Sequence, residues 1–234
     1  MKTGFSFVSY QTISTLFIMN CTYCCGADKL FDLRGAQKEM KKYKRKGANK
    51  STKKLLELLF HQNTNEKTLL DIGGGIGAIQ WEFLEQGGKN TLDVDASNGY
   101  LEVAKSYAKE HNYMEKVRFL SGDLVEKAGE IDAYDFVTLD KVVCCYPDYE
   151  SLLALALKKC KSTIALTFPM GGPISKFIAQ MEEVYYYFKD ISFGTYIHSP
   201  GDIEKFVHSK GFKTVRKTIS FPWHVQIYEK VEEK

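Results

Sequence analysis

The chain has 234 residues, 44% of them apolar, enough for one well-buried domain with modest additions. A net charge of +3 does not by itself demand a nucleic-acid partner. No run approaches the roughly 18 consecutive apolar residues of a membrane-crossing helix, so no membrane partner is expected.

Residues 1–20 read as a disordered leader. Their apolar positions (Phe5, Phe7, Val8 and Leu16 to Met19) are interrupted by Ser9, Gln11, Thr12, Ser14 and Thr15. Only Lys2 gives a positive start, and no small-x-small cleavage pattern precedes Cys21, which argues against a secretory signal. The protein is accordingly read as cytoplasmic, where its six cysteines (Cys21, Cys24, Cys25, Cys144, Cys145 and Cys160) stay free thiols.

Residues 21–66 read as helices ahead of a nucleotide fold. Leu33, Ala36, Met40 and Tyr43 share one face of a helix over 31–46, and the other face carries Lys38, Lys41, Lys42, Lys44, Arg45 and Lys46. That face is either plainly solvated or a lid that attracts an anionic substrate. Ser51 or Thr52 is expected to cap a second helix bearing Leu55, Leu56, Leu58 and Leu59.

Residues 67–234 read as the core. Leu69, Leu70 and Ile72 form a short strand that stops in Gly73, Gly74, Gly75 and Gly77, and helical sequence follows from Ala78 to Gln86. This strand, tight turn and helix make half of a βα unit, with its ligand site at the strand's carboxyl end. Asp71 before the first glycine gives D-x-G-x-G-x-G rather than the dinucleotide spacing, and no Gly-Lys-Ser/Thr follows for a nucleoside triphosphate. A second strand over 90–95 ends in Asp95, 24 residues past Asp71, where a carboxylate can accept both hydroxyls of a ribose. The alternative for Asp95 is a helix cap.

A helix follows through Tyr100, Val103, Ala104, Tyr107 and Ala108, then a strand over 117–120 closed by Gly122, Asp123 and Leu124. A fourth strand spans 134–140, a helix 151–159, a fifth strand 162–168 and a long helix 174–188. Ser199 and Pro200 open a last helix, closed by Gly211, and the runs 212–221 and 225–231 form a final antiparallel pair.

The glycine loop, Asp95, the Gly122-Asp123 turn and the block from Tyr134 to Pro147 occur in the order found in class I S-adenosylmethionine-dependent methyltransferases, and the chain resembles that family over residues 68–168. The resemblance implies a Rossmann-like α/β fold: a seven-stranded, mostly parallel sheet with one antiparallel strand and helices on both faces. It also implies S-adenosyl-L-methionine as cofactor and S-adenosyl-L-homocysteine as product. Asp71, Gly73, Gly75, Gly77, Asp95, Ala96, Asp123, Leu124 and Asp140 are the implied cofactor-binding residues, with Asp95 on the ribose and Asp123 on the adenine amine.

Around Asp140 the frame is similar to that of magnesium-protoporphyrin O-methyltransferases, with Cys145 where those enzymes carry a His before Tyr-Pro. Methyl transfer needs alignment and sometimes a base. Cys145, Tyr146 and His198 are the catalytic candidates, with Cys144 and His224 as further possibilities. Buried packing is the bland alternative for the cysteines and simple hydrogen bonding for the histidines.

No metal site is assigned, because adjacent Cys144 and Cys145 suit a single zinc ion poorly. A meeting of the Cys21, Cys24 and Cys25 cluster with Cys144 and Cys145, around a soft metal, metalloid or thiol, stays open. The expected partner is a small-molecule methyl acceptor with an O-, S- or N-nucleophile, and the oligomeric state is left open. An RNA methyltransferase and a non-catalytic cofactor-binding module are the alternatives. A NAD-type dehydrogenase is disfavoured by the glycine spacing.

Overall fold

A computed structural model describes residues 26–231 of the chain, so the leader and Cys21, Cys24 and Cys25 lie outside the described residues. Seven strands form one sheet: β1 (Thr68–Ile72), β2 (Asn90–Asp95), β3 (Val117–Ser121), β4 (Tyr134–Asp140), β5 (Cys160–Pro169), β6 (Phe212–Ser220) and β7 (Trp223–Lys230). Their order is β3-β2-β1-β4-β5-β7-β6. The strands β1 to β5 run parallel, and β7 runs against both β5 and β6. This is the expected Rossmann-like methyltransferase topology. Leu69, Leu70 and Ile72 are all buried because β1 is covered on both faces, which is why its apolar residues run together instead of alternating.

Among the described residues, helices that pack on the sheet or border it include α1 (Leu33–Lys46), α2 (Lys50–Leu59), α3 (Ala78–Glu85), α4 (Asn98–Glu110), α5 (Leu124–Lys127), α6 (Tyr149–Lys158), α7 (Gly172–Phe188) and α8 (Pro200–Ser209). On one face, Met40, Tyr43, Leu55, Trp81, Phe83 and Tyr107 pack with Leu69 and Phe136. On the other, Leu152, Leu153, Ile203 and Val207 pack with Leu70, Val137 and Tyr228. The helices α1 and α2 therefore share a core with the sheet that follows them.

The caps refine several expected boundaries. Asp32 caps α1, which begins at Leu33 rather than Phe31. Asn49 caps α2 by accepting from the Thr52 amide, so Ser51 and Thr52 lie inside the helix and are buried. Asp148 caps α6 ahead of the expected start at Ser151, and both Ser151 groups that donate to it hold its carboxyl below the usual range. Ser199 holds the cap position of α8, with Pro200 in the first turn but no side-chain cap bond.

Gly77 caps α3 at φ +81°, and a Cβ added there would stand 2.4 Å from the Trp81 ring. Trp81 is fully buried and donates through Nε1 to the Ile76 carbonyl, so it cannot retreat. Gly77→Ala combines left-handed strain with overpacking and is expected to lower unfolding stability by about 2–4 kcal/mol. Urea denaturation of the variant measures this; a loss under ~1 kcal/mol would contradict the packing role.

Candidate active site

The strand order reverses between β1 and β4, where the crossovers leave in opposite directions and open a crevice at the carboxyl ends of the strands. A cavity of about 610 Å³ occupies that place, within the size range of small-ligand sites. Its floor is the glycine turn Gly73 to Gly75, with Asp95 and Ala96 at the end of β2, Asp123 and Leu124 after β3, and Asp140 to Val142, Cys145 and Tyr146 at and beyond the end of β4. One edge of α1 (Gly35, Lys38, Glu39 and Lys42) covers it, and Phe31 and Phe193 close a side.

Most of the expected cofactor residues meet at this floor. Gly77 does not line the cavity; its missing Cβ serves Trp81. Asp95 accepts from the Gly75 amide through Oδ2 (2.9 Å) and from the Ser97 amide through Oδ1 (2.7 Å). Each oxygen keeps a second lone pair, so the carboxylate is fixed in place and still able to accept two hydroxyls. Asp123 caps α5 by accepting from the Val125 amide, and its other oxygen accepts from the Tyr146 hydroxyl at 2.5 Å.

Below the turn Asp71, the acid expected ahead of the glycines, is paired with Asp93, which the sequence pattern did not single out. Asp71 and Asp93 face each other in register on β1 and β2, and both are fully buried. Asp71 Oδ1 accepts from Thr138 at 2.6 Å, whereas Asp71 Oδ2, both Asp93 oxygens and Gln80 Nε2 have no hydrogen-bond partner among the described residues. Burial pushes the Asp71 carboxyl up to about 7, and raises Asp93 well above the carboxylate range with Asp95 and Asp71 adding to the effect. A Cβ on Gly74 would lie 2.6 Å from Asp93 Oδ1, 2.8 Å from Gln80 Nε2 and 2.9 Å from Asp71 Oδ2. Only glycine lets the turn rest on this pair.

At the end of β4, Asp140 Oδ2 accepts from the Thr52 hydroxyl and from Lys141 Nζ at 3.2 Å, while Asp140 Oδ1 is buried and unpartnered. Lys141 sits at φ +65°, a left-handed conformation that costs a β-carbon residue on the order of 1–3 kcal/mol. Its ammonium is aimed at Asp140, Asn49 and Thr52. Both Lys141 and the α2 contribution were missed in the sequence, since a positive φ and the docking of a helix start onto a distant strand end leave no local pattern.

The catalytic candidates separate. Cys145 lines the cavity, but its thiol and that of Cys144 both donate to the Lys141 carbonyl at 3.4 Å. The neighbouring Cys144 thiol and burial raise Cys145 well above the usual thiol range, so it stays protonated at neutral pH. Tyr146 lines the cavity and holds Asp123. His198 does not reach the cavity wall; its Nε2 pairs with the Tyr146 carbonyl at 2.9 Å and its ring packs on Tyr149. His224 lies in β7 against Phe168, away from the wall, and burial lowers it. Among the described residues no group of three His, Cys, Asp or Glu side chains forms a metal site.

These residues fit S-adenosylmethionine on two counts. Glu39, Asp95, Asp123 and Asp140 give the cavity acidic groups suited to a sulfonium cation, and the orphaned Asp140 Oδ1 is an acceptor that a ligand ammonium would satisfy.

Residues 69–163 match the family model described as "Methyltransferase domain". A 93-residue stretch is 27% identical to sterol 24-C-methyltransferase of Saccharomyces cerevisiae, and that match spans 40% of this chain and only 24% of the yeast protein's length. Solved structures that share the fold include the following two. Magnesium protoporphyrin IX methyltransferase from Synechocystis PCC 6803 with bound SAH has a TM-score of 0.61 at 15% identity, over 97% of this chain and 90% of that one. A putative sarcosine dimethylglycine methyltransferase from Galdieria sulphuraria has a TM-score of 0.63 at 14% identity, over 76% and 84%.

The buried acid pair makes stability pH-dependent. Asp71 is neutral when folded up to about pH 7 but ionises near its ordinary value of 3.8 when exposed. Between those values the folded chain binds more protons than the unfolded one, so stability falls as pH rises, by up to ~1.4 kcal/mol per pH unit for one group. Asp71→Asn keeps the shape and removes that titration. Thermal melts from pH 4 to 8 should show a shallower decline for the variant; parallel declines would mean Asp71 is ionised when folded.

Proposed function

The chain carries a methyltransferase domain of the class I fold, and from that premise we propose that it transfers a methyl group from S-adenosylmethionine to a small-molecule acceptor. The observation that carries the proposal is Asp95, held by the Gly75 and Ser97 amides beside the glycine turn in the floor of the cavity. In this reading residues 67–234 are the cofactor-binding core, and the helices ahead of it cover the cavity.

The cofactor would supply an electrophilic sulfonium methyl. Asp95 would take the ribose hydroxyls, and Leu124 and Asp123 the adenine, with Tyr146 steadying Asp123 through its phenol. Asp140 would hold the ammonium through Oδ1, while Lys141 and Thr52 occupy its other oxygen and keep the carboxylate pointed. The acceptor would enter between Cys145, the α1 edge and Phe193.

Because burial and Cys144 hold the Cys145 thiol protonated and His198 does not line the cavity, neither serves as a general base in this arrangement. Cys145 acts as wall, and His198 as a positioning residue that acts through Tyr146. The protein's contribution is then alignment and exclusion of water, which can supply several kcal/mol of an SN2 barrier. Such a site favours an O-, S- or N-nucleophile that is already reactive near neutral pH.

Production of S-adenosylhomocysteine with a panel of amine, thiol, carboxylate and phenolic acceptors tests the activity. Turnover with folded RNA instead, falling steeply with salt, would shift the reading to the basic face of α1. Asp95→Ala removes the ribose acceptor and is expected to weaken cofactor binding by roughly 1–3 kcal/mol. Unaltered affinity would remove Asp95 from the binding site.

A further inference from the structure

The helix α7 has 17 residues yet buries only Ser175, Ala179 and Tyr186. Its opposite side is apolar: Ile174, Phe177, Met181, Val184 and Phe188 fall at alternating spacings of three and four, with Ile178 and Tyr185 beside them, and all are 44–80% exposed. That spacing is the seam of a helix that packs on another helix. So thin an anchor and so regular a stripe call for an occupant, since a helix draws most of its stability from burying its apolar face.

We propose that this face is a homodimer interface, α7 packing on α7 of a second copy. Area supports it. Seven side chains of about 200 Å² each, at those exposures, present on the order of 800 Å², which is what one partner contributes to a standard stable interface. A patch centred on one residue also suits a two-fold axis, which pairs a surface with itself; Met181 stands at the centre of the stripe and would meet its own copy. The flanks argue against a lipid surface. Lys176, Gln180 and Glu183 give mixed charge, whereas helices that lie on anionic bilayers carry a Lys/Arg-rich border.

The dimer would bear on the cavity. On the inner side of α7, Glu182 accepts from the Thr195 hydroxyl, and Tyr186 packs edge-on against Phe193, which lines the cavity. The same segment is tied to the end of β4 through the Tyr196 amide and the Cys144 carbonyl at 2.7 Å. Fixing α7 thereby fixes one wall of the acceptor side.

Sedimentation equilibrium of the full chain, without cofactor, tests the proposal independently of the methyl-transfer reading. The expected mass is twice 26.7 kDa at about 10–100 µM, and the double variant Phe177→Asp, Met181→Asp should give monomer with an unchanged far-UV spectrum. In a second measurement, Met181→Cys should yield an oxidative cross-link between copies that the native chain does not. A wild-type monomer throughout, whether its α7 is then covered by residues 1–25 or by vesicles of anionic phospholipid, would overturn the proposal, as would a dimer indifferent to the double variant.

Discussion

The structure depends on one close approach: the backbone of Gly74 passing over the buried carboxyls of Asp71 and Asp93. Two buried acids in register on adjacent strands cannot both carry charge cheaply, so burial and their mutual repulsion raise both carboxyls. Their cost is accepted where the turn must be held in a single shape. With the turn fixed, the Gly75 amide is aimed at Asp95, and Asp95 is aimed into the cavity. A side chain on Gly74 would push the turn off its support.

The second organising contact lies across the crevice. Asp140 at the end of β4 is gripped by Thr52 from α2 and by Lys141 from a left-handed backbone. The helices ahead of the sheet thus do more than cover: they supply polar groups to the floor. Strain at Lys141 persists because Asn49, Thr52 and Asp140 all engage its ammonium. The same backbone turn puts the Lys141 carbonyl where both Cys144 and Cys145 donate, which turns a suggestive cysteine pair into two satisfied thiols.

Much of this was legible in the residues. The run Leu69 to Ile72 ending in glycines, the strand ending at Asp95 and the strand from Tyr134 to Asp140 have local signatures of period, length and turn chemistry, and their positions followed directly. Helix starts were less legible, because Asn49, Asp32 and Asp148 compete as caps with nearby Ser and Thr residues, and tertiary packing decides. The roles of Gly77, Asp93, Lys141 and His198 were illegible for one reason: each depends on a contact made far along the chain or on a backbone angle. Asp93 in particular looks like an ordinary strand polar residue until its register against Asp71 is known. The exposed stripe on α7 has a clear period, but period alone does not say which face the sheet will claim.

The central claim is that the glycine turn, Asp95 and Asp140 form a site for S-adenosylmethionine. Calorimetric titration of the full chain with S-adenosylhomocysteine, set beside NADH, tests it most directly. Saturable one-site binding of S-adenosylhomocysteine with none for NADH is the predicted result. Binding of NADH, or of neither ligand, would contradict the account.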